Sequence, residues 1–116
     1  MDFNEYQKRA LVTDAYVGES SEFRVTDLAF IAKILGLAGE SGEVAEKFKK
    51  IIRNKKGEIS DDDKKEIIKE LGDVLWYTAV LAHYLGSDFE TVAQVNLKKL
   101  ADRNSRGVIK SKGDNR

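Results

Sequence analysis

Two stretches, GLAGESGEVAEKFKK at residues 36–50 and ELGDVLWY at residues 70–77, decide how this chain is read. They carry Glu40 and Glu43 as Glu-x-x-Glu, then Glu70 and Asp73 as Glu-x-x-Asp. Residues three apart on a helix share a face, so each pair aims two carboxylates at a common point. Both pairs lie in strongly apolar helical segments, where uncompensated charge is expensive. A cation would compensate them. Oxygen-only donors suit Mg²⁺, with Mn²⁺ as a substitute, and Mg²⁺ usually brings phosphates with it. The pattern points to metal-dependent phosphate chemistry.

Working outward, the periodicity predicts four helices and a tail. The first covers residues 4 to 17, with Phe3, Tyr6, Ala10, Thr13 and Tyr16 along one side. Gly18 to Ser21 reads as a loop. The second helix covers residues 26 to 53, with an apolar stripe of Phe30, Ile34, Leu37, Val44, Phe48, Ile51 and Ile52. The third starts after Ser60, with Asp63 completing a capping-box pattern, and stops near Gly86. Its expected core face is Ile67, Leu71, Val74, Thr78, Leu81 and Leu85, with Glu70, Asp73 and Tyr77 along the edge. Ser87 and Glu90 repeat the capping pattern and open a fourth helix that runs to Arg103. The fold class expected is all-α, a four-helix bundle with a basic C-terminal tail from about residue 104. Residues 1–116 are expected to form one domain.

Composition narrows the function classes. Lys plus Arg and Asp plus Glu both number 20, so there is no net basic field to hold a nucleic acid polymer. There is no Cys, which excludes a disulfide framework and thiolate metal sites. There is no Pro, which suits long helices. The longest apolar stretch, Leu28 to Ala38, contains Lys33 and is too short to span a bilayer. A cytoplasmic protein without membrane contact is expected. His83 is the single histidine and has no partner at ligand spacing.

Three glycines, Gly36, Gly39 and Gly42, flank Glu40. Each costs about 1 kcal/mol of helix stability relative to Ala. They leave room for a ligand, permit close helix packing, or mark a break in the helix. Trp76 lies opposite the expected core arc, so a second subunit, or else the tail or the first helix, must cover it. On the fourth helix, Asn96, Lys99 and Arg103 form a polar row. From Arg103 onward there are five basic residues, among them Arg106, Lys112 and Arg116, against one acidic one. Such clusters neutralise phosphates.

These residues resemble the MazG-like nucleotide pyrophosphohydrolases of the all-α NTP pyrophosphatase group. The resemblance rests on GLAGESGEV and ELGDVLWY, with 26 residues between Glu43 and Glu70. It extends to EYQKRALVT at residues 5–13, NLKKLADR at 96–103 and RGVIKSKGDNR at 106–116. It implies a helical bundle that assembles as a homodimer or a dimer of dimers. It implies Mg²⁺ held by Glu40, Glu43, Glu70 and Asp73, and cleavage of nucleoside triphosphates between the α and β phosphates, giving a monophosphate and pyrophosphate. Nucleotide-pool housecleaning is the role such an activity suggests. Longer family members carry a further Glu where this chain has Gly39. Within that frame Glu40 or Glu43 orients the attacking water. Lys47, Lys50, Asn96, Lys99 and Arg103 meet phosphates, and Tyr77 or Trp76 stacks on the base. Gln7 and Thr13 are further candidates for base or sugar contacts. A catalytically silent nucleotide-binding module with the same metal site is the alternative.

Overall fold

The computed structural model describes residues 1–16 and 23–107. The expected loop at Gly18–Ser21 and the tail residues Lys112 and Arg116 lie outside them. Four helices are present: α1 (Phe3–Leu11), α2 (Leu28–Lys55), α3 (Asp61–Tyr84) and α4 (Phe89–Ser105). No strand occurs among the described residues. The all-α expectation holds.

α2 is continuous from residue 28 to 55, so the three glycines do not break it. It ends where Lys56 and Gly57 both take positive φ, and the Gly57 N–H reaches back to the Ile51 carbonyl at 3.3 Å. α3 opens on the capping box its sequence predicts. The Ser60 hydroxyl accepts from the Asp63 N–H at 3.1 Å, and the Asp63 carboxylate accepts from the Ser60 N–H at 3.0 Å. Lys55 adds an ion pair to Asp63 at 2.8 Å, tying the end of α2 to the start of α3. Together these contacts hold the Asp63 carboxyl down at about 2.

Two expectations about helix ends are corrected. α1 stops at Leu11, well short of residue 17. The Thr13 hydroxyl donates to the Ala10 carbonyl at 2.7 Å, and Asp14 turns inward, so polar side chains outcompete the helical ladder. α4 is capped by Asp88, not Ser87: the Asp88 carboxylate accepts from the Thr91 N–H at 2.7 Å. The Asn4 side chain takes the Glu90 N–H at 3.0 Å. The Gln7 amide oxygen takes the Phe89 N–H at 3.1 Å. α1 therefore satisfies two of the donors that a helix N-terminus leaves open.

α2 and α3 pack antiparallel along the shared hairpin, α1 lies across α3 and α4, and α4 rests on α1 and α3. The core centres on Phe30, Val80 and Tyr84, with Leu11, Phe23, Ala29, Trp76 and Leu81 around it. The expected core face of α3 is only partly right. Ile67 is buried, but Leu71 and Leu85 are 50% and 70% exposed, whereas Ala79, Val80, Ala82 and Tyr84 are buried. The reason is that α3 is covered from two directions, by α2 and by α1, so its small residues become interior. On α2 the stripe is likewise partial: Phe30 and Ile51 are buried, Ile34, Phe48 and Ile52 are exposed. Trp76 is covered by α1. Its indole N–H donates to the Thr13 hydroxyl at 2.8 Å and lies 3.2 Å from the Ala10 carbonyl, so no second subunit is needed to cover it.

A buried ion pair joins the segment after α1 to α2. Lys33 Nζ lies 2.9 Å from Asp14 Oδ1, and the Asp14 side chain is fully enclosed. Tyr84 donates its hydroxyl to the other Asp14 oxygen. The Lys33 ammonium also sits over the rings of Tyr16, Trp76 and Tyr84, at 4.7, 5.5 and 5.8 Å from their centroids. Burial alone would raise the Asp14 carboxyl, but the bonds from Tyr84 and Lys33 more than offset it and hold it below its ordinary 3.8. Its stabilisation is therefore complete above 3.8 and fades as pH falls through the lower folded value. Lys33→Met strands a buried carboxylate and should cost about 3–5 kcal/mol. Urea denaturation at pH 7 measures this, and the loss should shrink on acidification as Asp14 takes up a proton.

Candidate metal centre

The site is built where α2 and α3 run side by side. Numbers fall on one helix as they rise on the other: Gly36 meets Tyr77, Glu40 meets Asp73, Lys47 meets Glu70, and Lys55 meets Asp63. At Gly36 a Cβ would stand 2.1 Å from the Tyr77 ring. Any side chain there would push the ring away, so this glycine serves close helix packing. No atom lies within 4 Å of where a Cβ would stand on Gly39 or Gly42. Those two glycines leave open space on either side of Glu40.

One turn from the Gly36–Tyr77 contact, carboxylate oxygens of Glu40, Glu70 and Asp73 all lie within 4.8 Å of one another. Glu40 and Glu70 are half-buried and Asp73 is exposed. Partial burial first, and then the charges of Asp73, Glu70 and Glu43, push the Glu40 carboxyl above its ordinary value. Glu43 is exposed and outside the group of three, although its charge reaches Glu40. Oxygens from three carboxylates on two rigid helices suit a hard divalent cation, which removes the mutual repulsion. Part of that charge is met within the chain by Lys47, whose Nζ is 3.5 Å from Glu70.

The other expected site residues are distributed more widely. Lys50 is exposed on α2, one turn beyond Lys47. Tyr77 is half-buried on Gly36 and makes an edge contact with Trp76 at 4.9 Å. Asn96 is exposed, Lys99 is half-buried and Arg103 is only 4% exposed. All three are carried by α4, which rests on α1 and α3. Arg106 pairs with Asp102 at 2.8 Å. Gln7 is occupied structurally: its amide nitrogen donates to the Ala79 carbonyl at 2.9 Å and the Ser87 carbonyl at 3.2 Å. Thr13 is likewise engaged with Trp76 and Ala10. These bonds tie α1 and the residues after it to α3 and to the turn before α4. His83 is exposed beside Phe23.

Burial, and then the negative charge of Asp73, raise the Tyr6 hydroxyl on α1 above its ordinary value.

Residues 29–108 match the family described as MazG nucleotide pyrophosphohydrolase domain, and the chain belongs to that family. It is also similar to the protein called Gene 37 protein of Mycobacterium phage L5, with 43% identity over 116 residues that cover the whole of both chains. No solved structure gives a significant match.

The acidic trio should work against folding until a cation arrives. Glu40→Gln should raise the melting temperature of the metal-free protein, because it removes one of the repelling charges. The same change should reduce the extra rise in Tm that Mg²⁺ gives over Na⁺ at matched ionic strength. Calorimetry with and without Mg²⁺ measures both.

Proposed function

We propose that this protein is a Mg²⁺-dependent pyrophosphohydrolase that cleaves nucleoside or deoxynucleoside triphosphates between the α and β phosphates. The observation that carries this reading is the convergence of Glu40, Glu70 and Asp73 oxygens within 4.8 Å. It occurs in a chain whose family is described as nucleotide pyrophosphohydrolases. Mg²⁺, or Mn²⁺ in its place, would be held by these three residues, with Glu43 one turn on as the fourth candidate ligand. When bound, it would supply Lewis-acid polarisation of phosphate oxygens and lower the pKa of an associated water.

The chain's own residues do the rest. Glu40, Glu70 and Asp73, carried by two packed helices, would fix where the cation is held, and it is the cation that would draw the triphosphate to this face. Water attacks the α-phosphorus, a new P–O bond forms, and the bond to the α–β bridging oxygen breaks. The products are a nucleoside monophosphate and pyrophosphate. Glu43 or Glu40 accepts the proton of the attacking water. The exposure of Glu43, outside the group of three, favours it for that task. Lys47 and Lys50 on α2, with Asn96 and Lys99 on α4, are the proposed sources of donors for phosphate and sugar oxygens, while Arg103 is enclosed at 4% exposure. Tyr77 offers the aromatic surface for the base, whereas Trp76 is engaged with Thr13 and Ala10 beneath α1.

The protein is further proposed to act as a homodimer or homotetramer. The reading is supported by exposed apolar side chains on three of the helices: Leu28, Leu35, Ile52, Ile68, Val95 and Leu97 are each at least 62% exposed. No described helix is long and apolar enough to cross a membrane, so a bilayer-spanning segment does not account for them. Light scattering should give a mass two or four times that of the chain. A monomer at micromolar concentration would remove the proposal.

A panel of NTPs and dNTPs incubated with the protein and Mg²⁺, with products separated by chromatography, tests the reaction. Monophosphate plus pyrophosphate is expected, and diphosphate plus orthophosphate would overturn the mechanism. Glu70→Gln should abolish turnover while circular dichroism stays unchanged. Nucleotide binding with Mg²⁺ but no turnover in the unmodified protein would mark a silent binding module.

A further inference from the structure

Next to the acidic trio, α2 and α3 enclose a second feature of opposite charge. It is a cavity of about 180 Å³ lined by Lys47, Lys50, Asn54 and Lys55 from α2, and Asp63 and Glu66 from α3. Its two acidic groups are already matched. Asp63 pairs with Lys55 at 2.8 Å, and Glu66 pairs with Lys69 at 2.8 Å from outside the cavity. Lys50 makes no ion pair among the described residues. The uncompensated charge of the cavity is therefore that of Lys50, and it is positive, while Lys47 is paired with Glu70 outside the lining.

Lys47 belongs to both features. It lines this cavity, and its ammonium leans 3.5 Å from Glu70, at the long end of an ion pair, with the side chain 34% exposed. A partly exposed pair of this kind holds Lys47 weakly, worth roughly 1 kcal/mol or less. Its flexible stem and three donors allow another partner. A divalent cation on Glu40, Glu70 and Asp73 offsets the charge that draws Lys47 to Glu70. An anion in the cavity then becomes its better partner.

We infer that Lys47 is an exchanging counter-ion: it neutralises Glu70 before the cation binds, then turns to the diphosphate portion of the substrate, held with Lys50 in the α2–α3 cavity. The inference rests on the reaction proposed above, since the leaving group of that reaction is a diphosphate anion. It separates Lys47 from Lys50. Lys47 links cation and anion binding, whereas Lys50 serves the anion alone.

Isothermal titration of the full chain tests this without turnover. The probes are Mg²⁺ alone, and inorganic pyrophosphate at saturating Mg²⁺. Lys47→Ala should tighten Mg²⁺ alone by about two- to fivefold, the scale of a partly exposed pair. The same variant should weaken pyrophosphate by about tenfold, as expected for a lost charged hydrogen bond. Lys50→Ala should weaken pyrophosphate and leave Mg²⁺ unchanged. Lys49→Ala, whose partner is Glu46 at 3.6 Å, should change neither. Lys47→Ala that weakens Mg²⁺, or moves neither constant, would overturn the exchange. If the unmodified protein binds Mg²⁺ and releases pyrophosphate from NTPs while Lys47→Ala behaves like it, only this inference fails. If the unmodified protein binds no Mg²⁺, the metal-site reading fails and takes this inference with it.

Discussion

The ring of Tyr77 lies where a side chain at residue 36 would stand, and that contact sets how closely α2 and α3 approach. The rest of the molecule depends on it. One turn away on the two helices, the same approach brings Glu40, Glu70 and Asp73 together. About two turns past Glu40 on α2 Lys47 meets Glu70, and about four turns past it Lys55 meets Asp63. A helix pair is stiff, so a spacing set at one point is transmitted along it. Glycine at residue 36 is thus part of the site without touching any ligand.

Like charges held within a few ångströms are an unfavourable arrangement, and the fold offsets the cost elsewhere. The offset lies at the other end of α2 and α3, where Phe30, Val80 and Tyr84 form the apolar centre. Lys33, Asp14 and the surrounding rings lock the segment after α1 onto that centre. Gln7 stitches α1 to the α3–α4 turn through three backbone bonds. Neither buried polar group is idle, which is what low-dielectric surroundings demand. The molecule thus separates an end that supplies stability from a middle that stores repulsion for a cation to relieve.

Much of this was legible in the residue order. Capping at Ser60–Asp63, the stop at Gly86 and the helical period of the apolar residues are local, and they mark α3 as soon as they are read. The carboxylate pairs are legible too, because spacing of three on a helix is itself a geometric statement. Local signals misled where a distant partner intervened. Ser87 has the residue type of a cap, but Asp88 takes the role once Gln7 and Asn4 of α1 engage the first donors of α4. Leu71 and Leu85 belong to the apolar period of α3, yet α1 covers a different arc of that helix.

The sequence by itself determined that the chain is helical and which carboxylates are candidates for a cation, because both follow from spacing along one segment, and its two carboxylate stretches carry the resemblance to the family. Only the tertiary structure decided which of them converge, with Glu40, Glu70 and Asp73 together and Glu43 apart. It alone brought Gln7, Thr13 and Trp76 into the contacts that hold α1, and set Lys47 beside Glu70. The physical reason is that side-chain direction along one helix is a matter of angle. Distance between helices depends on what packs between them, and here that was a tyrosine ring against a missing Cβ.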